Sequence, residues 1–250
     1  MKKLLKFVAA ASATALVTTG NLVAQTIPKI SVEVGETADS TDLSTTIQIV
    51  ILMTVLALAP SILIMVTSFV RIVIVLSFLR HAMGIHQMPP NQLLIALALI
   101  LTFFIMTPVV DQAYNTGVKP YLEEEISKEE AFTNAVQPFK EFMLSQTREK
   151  DLALFVNIAK LDKPDNPDDI PLQVLVPGFV ISELRIAFQI AFVLFVPFLV
   201  IDMVVASVLM SMGMMMLPPI IVSLPFKILL FVLVDGWYLL VKSLVESFHL

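Results

Sequence analysis

The chain contains no cysteine among its 250 residues, so disulfides, thiolate ligands and thiolate nucleophiles are all excluded. Charge is also scarce. Asp, Glu, Lys and Arg make up 15 % of the sequence, against about 25 % in an average soluble domain. Seven glycines include no phosphate-cradling loop, and the three histidines are His81, His86 and His249. The first two stand five apart, off the i, i+4 spacing of a helical zinc pair. These gaps leave no convergent nucleophile, base or metal site. The chain therefore reads as a non-enzyme without cofactor or metal. A net charge of −5 argues against nucleic acid, whose binding needs a basic surface to displace counterions.

What fills the space is apolar sequence: 57 % hydrophobic residues and a mean hydropathy of +0.88. This composition points to a membrane protein. Residues 1–24 have the form of a secretory signal peptide, with the basic MKKLLK, the apolar FVAAASATALV and a cleavage site before Gln25. The apolar part is too short for an uncleaved anchor, because spanning about 30 Å takes about 20 residues. Residues 25–42 are polar and read as a mobile mature N-terminus.

The expected architecture is all-α. A first hydrophobic helical pair covers 43–110: Leu43 to Val70 is uncharged over 28 positions, and Asn91 to Val110 over 20. Pro60 predicts a kink in the first helix. Residues 111–170 change character, with 13 acidic and 7 basic residues. Phe132, Val136, Phe139 and Met143 recur there at helical spacing, as do Leu152, Phe155, Val156 and Ala159. This is a helical insertion outside the membrane, whose stripes pack either on each other or on a partner. A second hydrophobic pair fills 171–250, punctuated by charges and prolines that favour bent helices buried against protein. With the signal removed, Arg71 and Arg80 fall in a cytoplasmic connection and the acidic insertion outside, as positive-inside statistics ask.

Two features invite a function. The stretch LMSMGMMMLPP puts Met210, Met212, Met214, Met215 and Met216 within seven positions, with Gly213 among them and Pro218-Pro219 closing the run. Thioethers favour Cu(I), but no His or Cys lies nearby. Methionine also fills irregular core gaps, which accounts for one or two residues and not five. A third reading is a deformable apolar lining around a hole, in which Gly213 supplies backbone freedom and the prolines stop the loop. The second feature is a set of charges inside apolar helices: Glu183, Arg185, Asp202, Lys227 and Asp235. They read as buried ion pairs, with a proton or ion pathway as the competing use. Glu183 and Arg185 are two apart and face different ways, so at least one needs a partner on another helix or another chain. An ion- or proton-coupled transporter is accordingly the alternative function.

The runs SFVRIVIVLSFLRHAMGIHQMPPNQLLIALALILTFFIMTP (68–108) and FQIAFVLFVPFLVIDMVVASVLMSMGMMMLPPIIVSLPFKILLFVLVDGW (188–237), with EFMLSQTREKDLALF (141–155), resemble the FliP/SctR family of type III secretion export-gate proteins. The resemblance covers roughly 45–247, and the signal peptide favours the flagellar branch. Departures are mild: His81, Met83 and His86 sit where the family varies. The resemblance implies kinked helical hairpins assembling, in about five copies with FliQ and FliR, into a helical, ring-like gate. That gate lies in the inner membrane at the flagellar basal body, beside FlhA and FlhB. It implies passage of unfolded flagellar subunits, with 210–216 projecting into the pore as a gasket. It further implies contacts between copies at Phe142, Phe155 and Glu183, to which the facing of Arg185 adds a fourth candidate.

Overall fold

A computed structural model describes residues 40–85, 88–161, 166, 169–214 and 216–248. The signal peptide, most of the polar N-terminus, His86, Met215 and His249 lie outside the described residues. The chain falls into two compact units, Met1–Leu52 and Met53–Leu250. In the first, only the opening of one helix is described.

All described elements are helical. They are α1 (Ser40–Met65), α2 (Phe69–Ala82), α3 (Asn91–Ala113), a π-helical turn (Tyr114–Val118), α4 (Lys119–Leu122), α5 (Lys128–Gln146), α6 (Glu149–Ile158), α7 (Leu172–Ser211), α8 (Pro219–Leu233) and α9 (Gly236–Glu246). Among the described residues three stretches are long and apolar enough to cross a membrane: Ile47–Met65, Asn91–Leu122 and Leu172–Ser211. The pair α8 and α9, bent by 65°, makes a fourth if counted as one broken span. The helix α1 continues through Pro60, and none of Ile47–Met65 is buried.

The helix α2 lies between the two long uncharged runs and forms the centre of the core. Phe69, Ile72, Val75, Leu76, Leu79 and Ala82 are buried along it, because α7 covers one side and α3 another. Arg71 belongs to this helix and is itself buried. Counting it as a charge of a cytoplasmic connection was therefore mistaken: a charge buried in protein carries no weight in a loop-charge rule. Arg80 remains near the connection, where its guanidinium bonds Asn91 and the Pro89 carbonyl.

Within residues 111–170, the two longest helices pack on the rest of the chain rather than chiefly on each other. The helix α5 lies against α3, the π turn and α7, and α6 lies against α7. Ser127 starts α5 by accepting a bond from the Glu130 backbone N–H at 3.2 Å, which satisfies one of the helix's orphan donors. The buried face of α5 carries Ala131, Pro138, Phe142, Met143 and Gln146. Phe132, expected on the inner stripe, is 70 % exposed. The cause is a close backbone crossing. A Cβ on Gly117 would come within 2.7 Å of the Ala131 carbonyl and the Ala135 backbone, so only small side chains fit there. Thr116 and Asn134 exchange hydrogen bonds beside it, at 3.2 and 3.4 Å.

The 40-residue α7 spans about 60 Å at 1.5 Å per residue. Its N-terminal half is packed, with Val174, Leu175, Gly178, Phe179, Ser182, Glu183 and Ala187 buried. Beyond Ala191 only Phe198 and Leu209 are buried. This more exposed half packs on α8, with which it forms an antiparallel hairpin ending at the methionines.

Candidate functional site

The hairpin tip is built by a helix stop with defined geometry. Gly213 adopts φ +75, a left-handed conformation that costs a residue with a Cβ more than glycine. Its N–H donates to the Met210 carbonyl at 3.1 Å, and the Met214 N–H donates to the Leu209 carbonyl at 3.0 Å. This pair of bonds is the Schellman termination, which satisfies carbonyls that a helix end leaves open. Gly213 thus takes a backbone conformation that a residue with a Cβ adopts at a cost, at the end of the helix. Pro218 precedes α8 and Pro219 opens it, a position that needs no N–H donor.

The described methionines around these two stops are exposed. Met210, Met212 and Met214 face outward, and Met216 is 98 % accessible. The thioether chains thus stand free of the chain's own core. A groove of about 210 Å³ beside them is lined by Ala206, Leu209, Met210, Met214, Leu217 and Pro219. Another, of about 480 Å³, runs along the α7–α8 hairpin between Val200, Val204, Val208, Val222 and Phe226.

The hairpin is cross-braced below its tip. Lys227 Nζ donates to Asp202 Oδ2 at 2.6 Å and to the Ala82 carbonyl at 3.1 Å. Ser223 Oγ bonds the other carboxylate oxygen of Asp202. The lysine is 3 % exposed and the aspartate 26 %. Ala82 is the last residue of α2, so its carbonyl is one of the acceptors a helix end leaves unpaired. One ammonium thereby joins α7, α8 and the end of α2.

A second charge cluster lies deeper. Arg71 Nε donates to Glu183 Oε2 at 2.8 Å, and Nη2 bonds Oε1 of the same carboxylate; both side chains are fully buried. Nη1 reaches the Ser247 carbonyl at 2.7 Å and its hydroxyl at 3.0 Å, and Nη2 the Gln146 amide oxygen at 3.2 Å. Phe248 lies under the guanidinium at 3.8 Å. The partner that Glu183 needs is therefore on another helix of the same chain. Phe142 is buried beside Phe179 and Phe248, and Phe155 packs near Gly178. Arg185 is exposed. Asp235 sits at φ 52 at the start of α9, without a side-chain cap bond.

Gln146, Ser247 and Phe248 went unremarked in the sequence. Their signal was faint: a C-terminal Ser-Phe and an amide on an amphipathic helix are ordinary until Arg71 is known to be buried. Among the described residues no three His, Cys, Asp or Glu side chains gather in a way that could hold a metal ion. Among the described residues Glu183 and Asp202 are each bound to a cation, and Asp235 is not.

Residues 52–244 match the FliP family. The chain is 58 % identical over 217 residues to the flagellar biosynthetic protein FliP of Bacillus subtilis, covering 87 % of this chain and 98 % of that protein. It is 59 % identical over 203 residues to the protein of the same name from Caulobacter vibrioides, covering 81 % and 76 %. With that of Aquifex aeolicus the identity is 50 % over 238 residues, covering 94 % and 98 %. A match that takes in both charge clusters and the methionine tip leaves one assignment: this chain belongs to the FliP family.

Proposed function

We propose that this chain, like the flagellar biosynthetic proteins it resembles, serves flagellum assembly as one of several copies forming the pore of a protein export gate. In this reading the gate sits in the bacterial inner membrane, with residues 111–170 on the periplasmic side. FliQ and FliR complete the ring, FlhA and FlhB stand beside it, and unfolded flagellar subunits are its passengers. The chain acts as an element of a conduit and carries out no chemistry itself.

The observation that carries the reading is the methionine tip. It is exposed, apolar and held at the end of a long hairpin by a fixed helix stop and a double proline. A ring of such tips blocks ions, because stripping their hydration in an apolar constriction is costly and such constrictions empty of water. The same side chains yield to a passing chain of any sequence, since each methionine has three rotatable bonds and a polarisable sulfur. Support also comes from exposed apolar side chains among the described residues, including Phe103, Phe104 and Phe192. Contiguous exposed apolar patches mark contact with membrane or protein.

The test is ion leakage. Assembled gates in which Met214, Met215 and Met216 are all replaced by alanine should pass ions at rest, whereas unaltered gates hold them. Assembled mutant gates that stay as tight as the original would rule out the seal.

A further inference from the structure

Between residues 171 and 248 the chain carries seven charged side chains: Glu183, Arg185, Asp202, Lys227, Asp235, Lys242 and Glu246. Three ion pairs account for five of the seven, one of them with a partner outside this region. Glu183 takes Arg71, Asp202 takes Lys227, and Lys242 stands 3.8 Å from Glu246. The remainder is one cation and one anion, Arg185 and Asp235, for which no ion pair forms within the described residues.

Both stand in apolar surroundings. Arg185 shares a groove of about 600 Å³ with Phe188, Gln189, Phe192 and Val193. Asp235 is flanked by the exposed Leu233, Val234, Trp237 and Tyr238. A charge set in an apolar, membrane-level surface is costly unless it meets water or a counter-charge. Asp235 is moreover held in place. Its left-handed φ of 52 is a strained conformation for a residue with a Cβ, and such strain persists only where the surroundings fix it. The next position is tightly confined: a Cβ on Gly236 would fall 2.2 Å from the Phe231 ring.

The hairpin register separates the two charges within one chain. Asp202 faces Ser223 and Lys227, so the antiparallel α7 and α8 bring position 235 about level with Phe192. Arg185 lies seven residues earlier on α7, roughly 10 Å along the axis at 1.5 Å per residue. We infer that Arg185 of one copy pairs with Asp235 of a second copy of this chain, the second copy being offset by about two helical turns along the hairpin axis. A head-to-tail contact with such an offset repeats from copy to copy around a ring or helix. The groove beside Arg185 then receives the apolar side chains around Asp235, and the counter-charges fix the register. This inference rests on the multi-copy reading above and adds to it the residues that meet.

The cysteine-free sequence makes the test direct. Two tagged versions of the full chain, one carrying R185C and the other D235C, are co-expressed with the rest of the export apparatus, and membranes are treated with a short flexible thiol-to-thiol crosslinker. A crosslink joining the two tags is the expected result, since a long Arg–Asp pair sets its Cα atoms beyond the ~7 Å that a direct disulfide bridges but within reach of such a linker. No mixed-tag product overturns the pairing. Charge reversal supplies the second arm: R185E or D235R alone should lower recovered multimer at least about tenfold, and the two together should restore most of it. A double variant no better than either single one also overturns the pairing. Native mass spectrometry of the unaltered chain separates the two ideas. A multimer that gives no mixed-tag product removes this contact alone, whereas a single copy removes the multi-copy reading with it.

Discussion

Arg71 and Glu183, 112 positions apart in sequence, form a bidentate ion pair in which neither side chain is exposed to solvent. The pair also organises its surroundings, because the remaining guanidinium hydrogens reach Gln146 on α5 and Ser247 after α9. Four segments distant in sequence thus meet at one guanidinium. Such a pair contributes less to net stability than its geometry suggests, since both charges had to leave water. Its loss is another matter.

Removing Glu183 strands a buried cation among neutral acceptors. Glu183→Ala should therefore destabilise the chain by about 3–5 kcal/mol, and Glu183→Lys by more, because two cations then face each other. Replacing both partners by apolar residues, as in R71M/E183L, should recover most of that loss. Thermal denaturation of the purified complex and the yield of assembled complex measure both. Reversing Glu183 impairs assembly in this account because the chain itself is disturbed. If R71M/E183L is as damaging as E183A, the pair has a role beyond stability.

The Asp202–Lys227 brace should respond asymmetrically. Lys227 is almost wholly enclosed, whereas about a quarter of Asp202 is accessible. Asp202→Ala leaves the ammonium buried with only the Ala82 carbonyl. Lys227→Met keeps the side chain's volume and leaves a carboxylate that still holds Ser223 and can reach water. D202A should thus be the more harmful of the two, by a margin on the order of 1–2 kcal/mol. Unfolding measurements on the two variants check the order, and equal losses would show that the lysine's own packing dominates.

Much of this arrangement was legible in the sequence. The all-helical class follows from long uncharged runs with no strand alternation. Of the charged residues in those runs Glu183, Asp202 and Lys227 form ion pairs, whereas Arg185 and Asp235 do not among the described residues. The methionine tip lies where Gly213 and Pro218-Pro219 bound it. What escaped was the central place of α2. Its sequence, FVRIVIVLSFLRHA, is short and carries two arginines, which suggests a connection when charges are weighed one at a time. Only the position of Glu183, deep in another helix, shows that Arg71 is an inward-facing residue. Phe132 lies on the exposed side of α5, where the partner contact that its stripe also allowed stays open to it. Periodicity ranks large apolar residues as core, but the close crossing at Gly117 selects small ones, and that contact depends on the fold.

Gly213 provides the sharpest contrast between a flexible and a fixed tip. A Cβ added at Gly213 meets nothing within 4 Å, so substitutions there meet no steric clash, and their cost comes from the left-handed φ alone. That cost is about 1–2 kcal/mol for a residue with a Cβ, and smaller for asparagine, which visits this region more readily. Branching at Cβ adds to it. The order of tolerance should accordingly be Gly, Asn, Ala, Val. Hydrogen exchange at the Gly213 and Met214 amides, whose bonds to Met210 and Leu209 define the stop, should accelerate in the same order. Ion leakage through assembled gates should follow that order as well, because a frayed stop lets Met214 and Met216 wander. Were Gly213 a hinge instead, asparagine and alanine would slow passage of protein without loosening these two amides, and the exchange rates would stay level across the series.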